Sequence, residues 1–397
     1  MRAAMAEETK MKRGTEASCW SDLPIDILAS IIKLLEVRID IIRFGSVCRA
    51  WRNLVSCSRE DQNVFPLKTP FNINNYGCII YLSNASSIPR NRFLQFYPTS
   101  TYLVKPLYDD SRTAFLVKVE HHLSGPHKAQ LLNLHLQESD INSNEVIDSR
   151  NYHVSELCKM YTCKFFCDVS SFDLNSADVT KIFKKVIVYP DDVWTRREDC
   201  VVFAMSSSNK LDYWKFGDEQ WTTMLTVEFG DMILYNGKVY VFNCMTGHLW
   251  IIEISSTKVI WPKKVTQIAL HQHPRFRCDL LKSCGDLYLV EPFYLKEGIA
   301  RYLRVYKLNE TQFRKWEMVV CIGGDRVFIL GSQDTSPFSI STKNFVRGKG
   351  NRIYYRDNFG VCLRNYIPND IYMEGVVEGP RPREQMNLHA QGTRNPT

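Results

Sequence analysis

One repeated pattern begins with Asn236-Gly237-Lys238-Val239-Tyr240-Val241-Phe242 and continues with His248-Leu249-Trp250-Ile251-Ile252-Glu253-Ile254. Both segments are rich in β-branched and aromatic residues, and an Asn-Gly turn signal opens the first of them. The unit ends on Lys258-Val259-Ile260-Trp261, which is a further short apolar segment. The pattern therefore predicts a turn, two long strands and a strand that carries a tryptophan.

The same order returns further along the chain. A second unit begins with Cys284-Gly285-Asp286-Leu287-Tyr288-Leu289-Val290 and a third with Gly350-Asn351-Arg352-Ile353-Tyr354-Tyr355. The turn glycines Gly237, Gly285 and Gly350 are separated by 48 and 65 residues. Kelch-like blades repeat at about 50 residues, with four strands each. The sequence therefore predicts an all-β, propeller-like domain, and a sandwich of meanders is the alternative.

Short strand-like runs separated by turn residues fill much of the chain outside these units. The clearest of them are residues 77–82, 113–119, 130–136, 186–189 and 201–204. We expect the β-domain to occupy residues 70–370. The polar stretches 1–18 and 379–397 are predicted to be a disordered leader and a disordered tail.

The segment before the β-domain has helical rather than alternating apolar spacing. One broad helix face is predicted from Ile27, Leu28, Ile31, Ile32 and Leu35. Pro24 suits the first turn of that helix, and Asp26 suits the positive end of its dipole. Two more helical segments follow at residues 40–47 and 49–55. The fold class predicted for the whole chain is thus α+β multidomain, with three helices in 19–60 and an all-β domain after them.

This helical segment resembles a known motif. The residues that carry the resemblance are Trp20-Ser21-Asp22-Leu23-Pro24-Ile25-Asp26-Ile27-Leu28 and Phe44-Gly45-Ser46-Val47-Cys48-Arg49-Ala50-Trp51-Arg52. They resemble the F-box signature, in which Leu-Pro-x-Asp/Glu-x-Leu precedes a helix and Val-Cys-x-x-Trp-Arg ends the motif. The chain departs from that signature at Asp40-Ile41-Ile42, where Asp-Leu or Asp-Val is commoner.

Three helices of about forty residues are close to the size below which a domain needs a partner. The segment carries more apolar surface than one small core can hide, so we predict a face that a partner covers. Its candidate residues are Leu23, Pro24, Ile27, Leu28, Val47, Cys48 and Trp51. In the alternative interpretation, Ile31, Ile32, Leu35 and Trp51 only join this segment to the β-domain.

The resemblance implies a function for the helical segment. F-box proteins bind a Skp-type adaptor, which joins them to a cullin and a RING protein in an SCF-type ubiquitin ligase. By that likeness the chain is expected to be a non-catalytic receptor whose β-domain holds a target protein. The identity of that target does not follow from the sequence.

The β-domain carries a second resemblance. It is carried by Leu211-Asp212-Tyr213-Trp214-Lys215, by Asp325-Arg326-Val327-Phe328-Ile329-Leu330-Gly331, and by Lys349-Gly350-Asn351-Arg352-Ile353-Tyr354-Tyr355-Arg356-Asp357. These segments resemble plant F-box proteins with a C-terminal domain of unknown function that is thought to be propeller-like. The similarity extends over roughly residues 70 to 367, and it implies no catalytic residue.

Composition argues against nucleic acid and a membrane as partners. The net charge is +7 from 50 basic and 43 acidic residues, and the basic residues are scattered along the chain. Nucleic acid is therefore an unlikely partner, because a nucleic-acid binder has clustered Lys and Arg. A nucleic-acid-associated regulator is kept as the second hypothesis. The 13 cysteines are odd in number and widely spaced, which favours a reducing compartment, the cytoplasm or nucleus. No apolar run is long enough to predict a membrane span.

Motifs for catalysis, cofactors and metals are weak. His153, Cys158, Cys163 and Cys167 lack the paired Cys-x2-4-Cys spacing of structural zinc sites, so no metal is predicted. The sequence has no Gly-x4-Gly-Lys-Ser/Thr loop for phosphate binding and no Gly-x-Ser-x-Gly elbow for a nucleophilic serine. No cofactor is therefore predicted. An enzyme built on a propeller is the third hypothesis. We expect one set of aromatic residues to be mostly blade core: Trp194, Trp214, Trp250, Trp261 and Trp316.

Overall fold

The computed structural model describes most of the strand-rich part of the chain and the helical segment before it. The described residues are 20, 23–35, 38–59, 65–71, 92–107, 114–120, 128–132, 151–167, 183–191, 196–255, 259–269, 278–294, 300–311, 315–331, 335–344, 350–357 and 360–365. The predicted leader and tail, and the predicted strand at 77–82, lie outside them.

Three helices form a small unit at the start of the described chain. They are α1 (Ile25–Lys33), α2 (Arg38–Ser46) and α3 (Arg49–Arg59). Helix α1 begins directly after Pro24, whose carbonyl accepts a hydrogen bond from the amide of Leu28 at 3.1 Å. Asp26 in the first turn and Lys33 in the last turn match the helix dipole. One shared core holds the helices together: Leu28, Ile32, Ile41, Phe44, Trp51 and Val55.

Twenty-one strands follow in the described residues, and they form five sheets. The first sheet, blade 1, contains β1 (Leu67–Pro70), β2 (Arg92–Pro106), β3 (Phe115–Glu120), β4 (Lys128–Leu132) and β5 (Tyr152–Cys167). Strand β5 pairs antiparallel with the whole length of β2, whereas β1 and β3 pair with different parts of β2.

Blades 2, 3 and 4 are antiparallel meanders whose strands pair in chain order. Blade 2 contains β6 (Phe183–Tyr189), β7 (Val201–Ser206), β8 (Lys210–Lys215) and β9 (Thr222–Thr226). Blade 3 contains β10 (Phe229–Tyr235), β11 (Lys238–Asn243), β12 (His248–Ile252) and β13 (Lys263–Gln267). Blade 4 contains β14 (Asp279–Ser283), β15 (Asp286–Tyr294), β16 (Ala300–Asn309) and β17 (Lys315–Met318).

Blade 5 departs from this simple order. Its strands are β18 (Arg326–Ile329), β19 (Phe338–Ser341), β20 (Arg352–Asp357) and β21 (Gly360–Asn365). Strand β18 lies between β19 and β20 and pairs with β20 in parallel, with Phe328 opposite Ile353. The long connection that a parallel pair requires accounts for the wide spacing between the second and third sequence units.

The five blades close into a ring. The strands β5, β6, β10, β14 and β19 each contact the next in that order, and β19 contacts β5. An apolar core fills each of the five junctions between neighbouring blades. The described residues therefore form three helices and a five-bladed β-propeller, and the predicted fold class is confirmed.

The tryptophans test the prediction of blade core one by one. Trp214 and Trp316 are 3% and 6% exposed, as expected of core residues, and Trp250 is half-buried. Trp261 is 56% exposed, so the prediction is wrong for this residue. The reason is that β13 begins only at Lys263, which leaves Trp261 in the connection between strands. Trp194 lies outside the described residues.

Two glycines with the same backbone conformation allow a matched stability test. Gly237 and Gly247 both have φ of +69°, where a side chain is strained. An added Cβ meets nothing at Gly237, but it overlaps the carbonyl oxygen of Ile268 at Gly247. We expect Gly237→Ala to lower the free energy of unfolding by about 1–2 kcal/mol and Gly247→Ala to lower it by clearly more. Urea unfolding of both variants checks this, and equal losses contradict it.

The cysteines with described side chains are free thiols, and they range from buried to exposed. Burial raises the pKa of Cys278 well above its ordinary value, whereas Cys284 lies six residues further on and is exposed. Because the thiolate is the reacting form, we expect iodoacetamide at pH 8 to alkylate Cys284 at least about tenfold faster than Cys278. Peptide mass spectrometry of the folded protein measures both rates, and urea should abolish the difference. Equal rates without urea contradict the described packing.

Candidate functional site

The seven residues predicted to face an adaptor divide into three groups by burial. Pro24, Ile27 and Val47 are exposed, with Ile27 and Val47 at 45% and 53%. Leu23 and Cys48 are half-buried at the edge of the helical core. Burial of an exposed apolar side chain is favourable, so Pro24, Ile27 and Val47 are available for contact with a partner.

Leu28 and Trp51 are in the interior of the helical unit, so the prediction that they are exposed is wrong. Leu28 is 2% exposed and lies one helical turn before Ile32, which is equally buried. Trp51 is 7% exposed, and its ring centroid is 4.3 Å from that of Phe44. The two residues pack in the core shared by α1, α2 and α3. The alternative interpretation, in which Trp51 joins this segment to the β-domain, is not what this core shows.

Sequence reasoning missed several exposed apolar residues. Ile25, Leu34 and Ile42 are 71%, 78% and 46% exposed, and Trp20 just before the helices is 71% exposed. The signal was present, because Ile25 and Ile27 lie away from the Leu28–Ile32 side of a helix that is apolar on more than one side. We call Ile25, Ile27, Leu34, Ile42 and Val47 the exposed apolar set.

Helix α2 also contacts the propeller. The Arg43 guanidinium donates to Asp40 Oδ1 at 3.0 Å and to the backbone carbonyl of Tyr152 at the start of β5. Both side chains of the ion pair are partly exposed, so its own contribution to stability is small. The contact places the helical unit beside blade 1.

A buried polar group joins blades 2, 3 and 4 at their inner strands. The ammonium of Lys185 on β6 donates to Asp231 Oδ1 on β10 at 2.6 Å. Asp231 Oδ1 also accepts from the amide of Met232, and Oδ2 accepts from the amide of Leu280 on β14, each at 2.8 Å. Both carboxylate oxygens are thus occupied, which indicates a structural rather than a catalytic role. We call Lys185, Asp231 and the Leu280 amide the inter-blade latch.

A second polar contact joins blades 1 and 2. Asp191 Oδ1 accepts from the Lys159 ammonium at 2.8 Å and from the Tyr161 hydroxyl at 2.6 Å. Burial and then the neighbouring Asp191 carboxylate raise the pKa of Tyr161 well above its ordinary value. The phenol therefore stays protonated and acts as a donor in this junction.

Cys158 and Cys163 of β5 do not lie close together, and the side chain of Cys167 is outside the described part of the chain. Cys158 and Cys163 are five residues apart in an extended strand, which separates them by about 16 Å. Burial raises the pKa of Cys158 to about 12, so its thiol stays neutral and is a poor metal ligand. Across the described part of the chain, no group of three or more His, Cys, Asp or Glu side chains could hold a metal ion.

In the described segments no helix has both the length and the apolar character needed to cross a membrane.

Several blade lysines are paired with carboxylates. Their ion pairs are Lys118–Glu120 at 3.0 Å, Lys185–Asp231 and Lys238–Glu253 at 2.6 Å, and Lys307–Asp286 at 2.8 Å. Lysines neutralised in this way contribute little to a phosphate-binding surface.

The helical unit and the ring of five blades define a class of protein, in which a small three-helix unit precedes a β-propeller. An F-box-like family model matches residues 20–59, and the KIB1-4 beta-propeller family model matches residues 85–378. The second match spans more than half of the chain, so the chain belongs to the KIB1-4 beta-propeller family. The kelch-like character and the domain boundaries at 19–60 and 70–370 stay predictions.

Curated relatives from Arabidopsis thaliana match most of the length of the chain. F-box protein At4g35733 is 24% identical over 370 residues, which cover 87% of this chain and 91% of the relative. F-box protein SKIP23 is 24% identical over 369 residues, or 83% and 84% of the two chains. Putative F-box protein At3g25750 is 23% identical over 348 residues, or 86% and 88%. The resemblance to plant F-box proteins with a propeller-like C-terminal domain is confirmed.

Proposed function

We propose that this protein is the substrate-recognition subunit of an SCF-type ubiquitin ligase. The helical unit binds a Skp-type adaptor, and the propeller holds a target protein. The observation that carries the proposal is the exposed apolar set on a helical unit that matches the F-box-like family.

The helical unit exposes large aliphatic side chains to water. Leu34 and Ile25 are more than two-thirds exposed, although both are large aliphatic residues. Their burial against a partner would stabilise a complex by about 25 cal/mol for each Å² of apolar area removed from water. Interfaces of this kind depend on a few large side chains at the centre. The exposed apolar set supplies such side chains.

The proposed mechanism is positional rather than catalytic. The adaptor connects the chain to a cullin and a RING subunit, and the propeller keeps the target near the charged ubiquitin carrier. Proximity raises the effective concentration of target lysines at the carrier, which accelerates transfer without a reacting group on this chain. The proposal places the complex in the cytoplasm, the nucleus or both.

The test is co-purification of the full chain with a recombinant Skp-type adaptor. We expect a one-to-one complex in size-exclusion chromatography that a cullin–RING pair then joins. Failure of the folded chain to bind any of several plant Skp-type adaptors would remove the proposal. Strongly salt-dependent binding to single-stranded or duplex DNA instead would favour the nucleic-acid hypothesis.

A further inference from the structure

A cleft of about 370 Å³ lies between blade 1 and blade 2. Its lining residues come from both blades: Pro66, Lys68, Gln95, Arg197 and Phe216. Ligand sites commonly have volumes of about 300–1,000 Å³, with mostly apolar walls and a few placed polar groups. The volume of the cleft lies in that range, and its lining combines two apolar residues, Pro66 and Phe216, with three polar ones.

The blade 2 wall is rigid. Phe216 follows β8 in a turn where the Asp218 amide donates to the Lys215 carbonyl at 2.9 Å, and Gly217 between them has φ of +91°. The turn keeps Phe216 39% exposed. The carboxylate of Asp218 is turned back onto this turn, because its Oδ2 accepts from the Lys215 amide at 3.2 Å.

Arg197 is presented by a second short turn of blade 2. The amide of Cys200 donates to the Arg197 carbonyl at 3.2 Å, and the Cys200 thiol donates to the Arg196 carbonyl at 3.3 Å. Cys200 is fully buried, so the turn is anchored in the core between the blades. Arg197 itself is exposed at the cleft.

The blade 1 wall supplies a second cation and an amide. Lys68 on β1 lies directly opposite Gln95 on β2 in the register of the sheet. Gln95 is buried, and the Tyr97 hydroxyl donates to its Oε1 at 2.5 Å. The hydrogen bond from Tyr97 occupies the carbonyl oxygen of the Gln95 side chain. Its amide group is therefore the part that can donate a hydrogen bond to an occupant of the cleft.

The two walls are fixed relative to each other. The indole Nε1 of Trp221, at the end of the Phe216 turn, donates to the carbonyl of Pro70 at 2.8 Å. Trp221 is 9% exposed and packs against Phe96 and Phe183 in the junction of the blades. The cleft is therefore largely formed before any occupant binds, which lowers the entropic cost of binding.

We infer that this cleft receives an acidic segment of the target protein. A carboxylate of the segment lies between Lys68 and Arg197 and accepts from the amide of Gln95, and a neighbouring apolar side chain packs on Phe216 and Pro66. A cation on each wall, with a side-chain donor on the blade 1 wall, favours a carboxylate over a neutral or basic side chain. The inference rests on the proposed receptor function, because it names the chemistry of the target.

The first experiment uses the full chain in complex with a Skp-type adaptor and a fluorescein-labelled probe peptide, Gly-Glu-Leu-Glu-Phe-Glu-Gly. We expect fluorescence polarisation to show binding that is weaker by about tenfold or more for Lys68→Glu/Arg197→Glu. The Gln-for-Glu copy of the peptide should lose a similar amount. The matched variant Lys282→Glu/Lys315→Glu changes two exposed lysines of blade 4 by the same charge, and its Kd should stay within about twofold of the wild type.

The second experiment uses a real target. Phe216 is replaced by the photo-crosslinking amino acid p-benzoylphenylalanine, and the chain is expressed in plant cells with the cullin inactive. We expect the cross-linked target peptides to be enriched in Asp and Glu and to be displaced by the acidic probe. No binding of the probe, equal binding of the Gln copy, or cross-linked peptides without acidic enrichment overturns the inference. Adaptor co-purification in the same samples separates this failure from failure of the proposed function, because the cleft is not part of the adaptor surface.

Discussion

Replacement of Ile27 and Val47 by glutamate is expected to weaken binding of the chain to a Skp-type adaptor by roughly a thousandfold. Each side chain is about half exposed in the free chain, so a glutamate is tolerated before binding. In the complex the same carboxylates would be buried against apolar groups without partners. Loss of two central contacts at about 2 kcal/mol each gives the stated factor. Isothermal titration calorimetry against the purified adaptor measures it.

The matched control places the same charges on exposed apolar residues of the propeller. Ile260 and Val320 are 45% and 67% exposed, and Ile260→Glu/Val320→Glu should leave adaptor affinity unchanged. Circular dichroism should show native helix content for both double variants. Adaptor affinity that survives Ile27→Glu/Val47→Glu in a folded chain would sink the assignment of the exposed apolar set as the adaptor surface.

Two other residues separate a surface role from a core role. Leu28→Ala and Trp51→Ala should also reduce adaptor binding, but through unfolding of the helical unit. Both side chains are in its core, where such truncations cost about 2–5 kcal/mol. Their helical signal should therefore melt at a lower temperature, whereas that of Ile27→Glu/Val47→Glu should not. The melting temperature therefore distinguishes residues in the helical core from residues on the adaptor surface.

The helical unit shows which features a single sequence can predict. Proline followed by an acidic residue marked the start of α1, and the apolar spacing marked the side with Leu28 and Ile32, because local propensity and periodicity act over a few residues. Periodicity alone could not say which of two apolar sides faces inward. That choice depends on where α2 and α3 pack, which is a contact between segments distant in sequence. Periodicity therefore cannot place Leu28, which the packing of the three helices turns inward.

The propeller shows the same division. The turns at Gly237 and Gly285 can be predicted from the sequence, because Asn236-Gly237 and Cys284-Gly285 each precede a strand-like run of apolar residues. The use of β5 as an inner strand could not be predicted, because it depends on pairing with β2 across a long connection. The parallel pair of β18 and β20 was equally invisible, since strand order in a sheet is a long-range property. The blade 1–blade 2 cleft combines residues from 66 to 216 and lies beyond local patterns.

The inter-blade latch carries the second large expected effect. Asp231→Ala is expected to lower the free energy of unfolding by about 3–5 kcal/mol, because it leaves the Lys185 ammonium without its carboxylate and the Leu280 amide without its acceptor. Asp231 is 5% exposed, so water cannot easily replace it. Urea unfolding followed by tryptophan fluorescence measures the loss.

An exposed ion pair of blade 3 provides the control for this effect. In the Lys238–Glu253 pair the two side chains are 34% and 49% exposed, so Glu253→Ala should cost less than about 1 kcal/mol. The double variant Lys185→Met/Asp231→Leu should recover much of the stability lost in Asp231→Leu alone, since it removes the isolated charge. If Asp231→Ala instead cost no more than Glu253→Ala, the latch would not hold the blades together. Closure of the ring would then depend on the apolar junctions alone, and those junctions are already present between every pair of neighbouring blades.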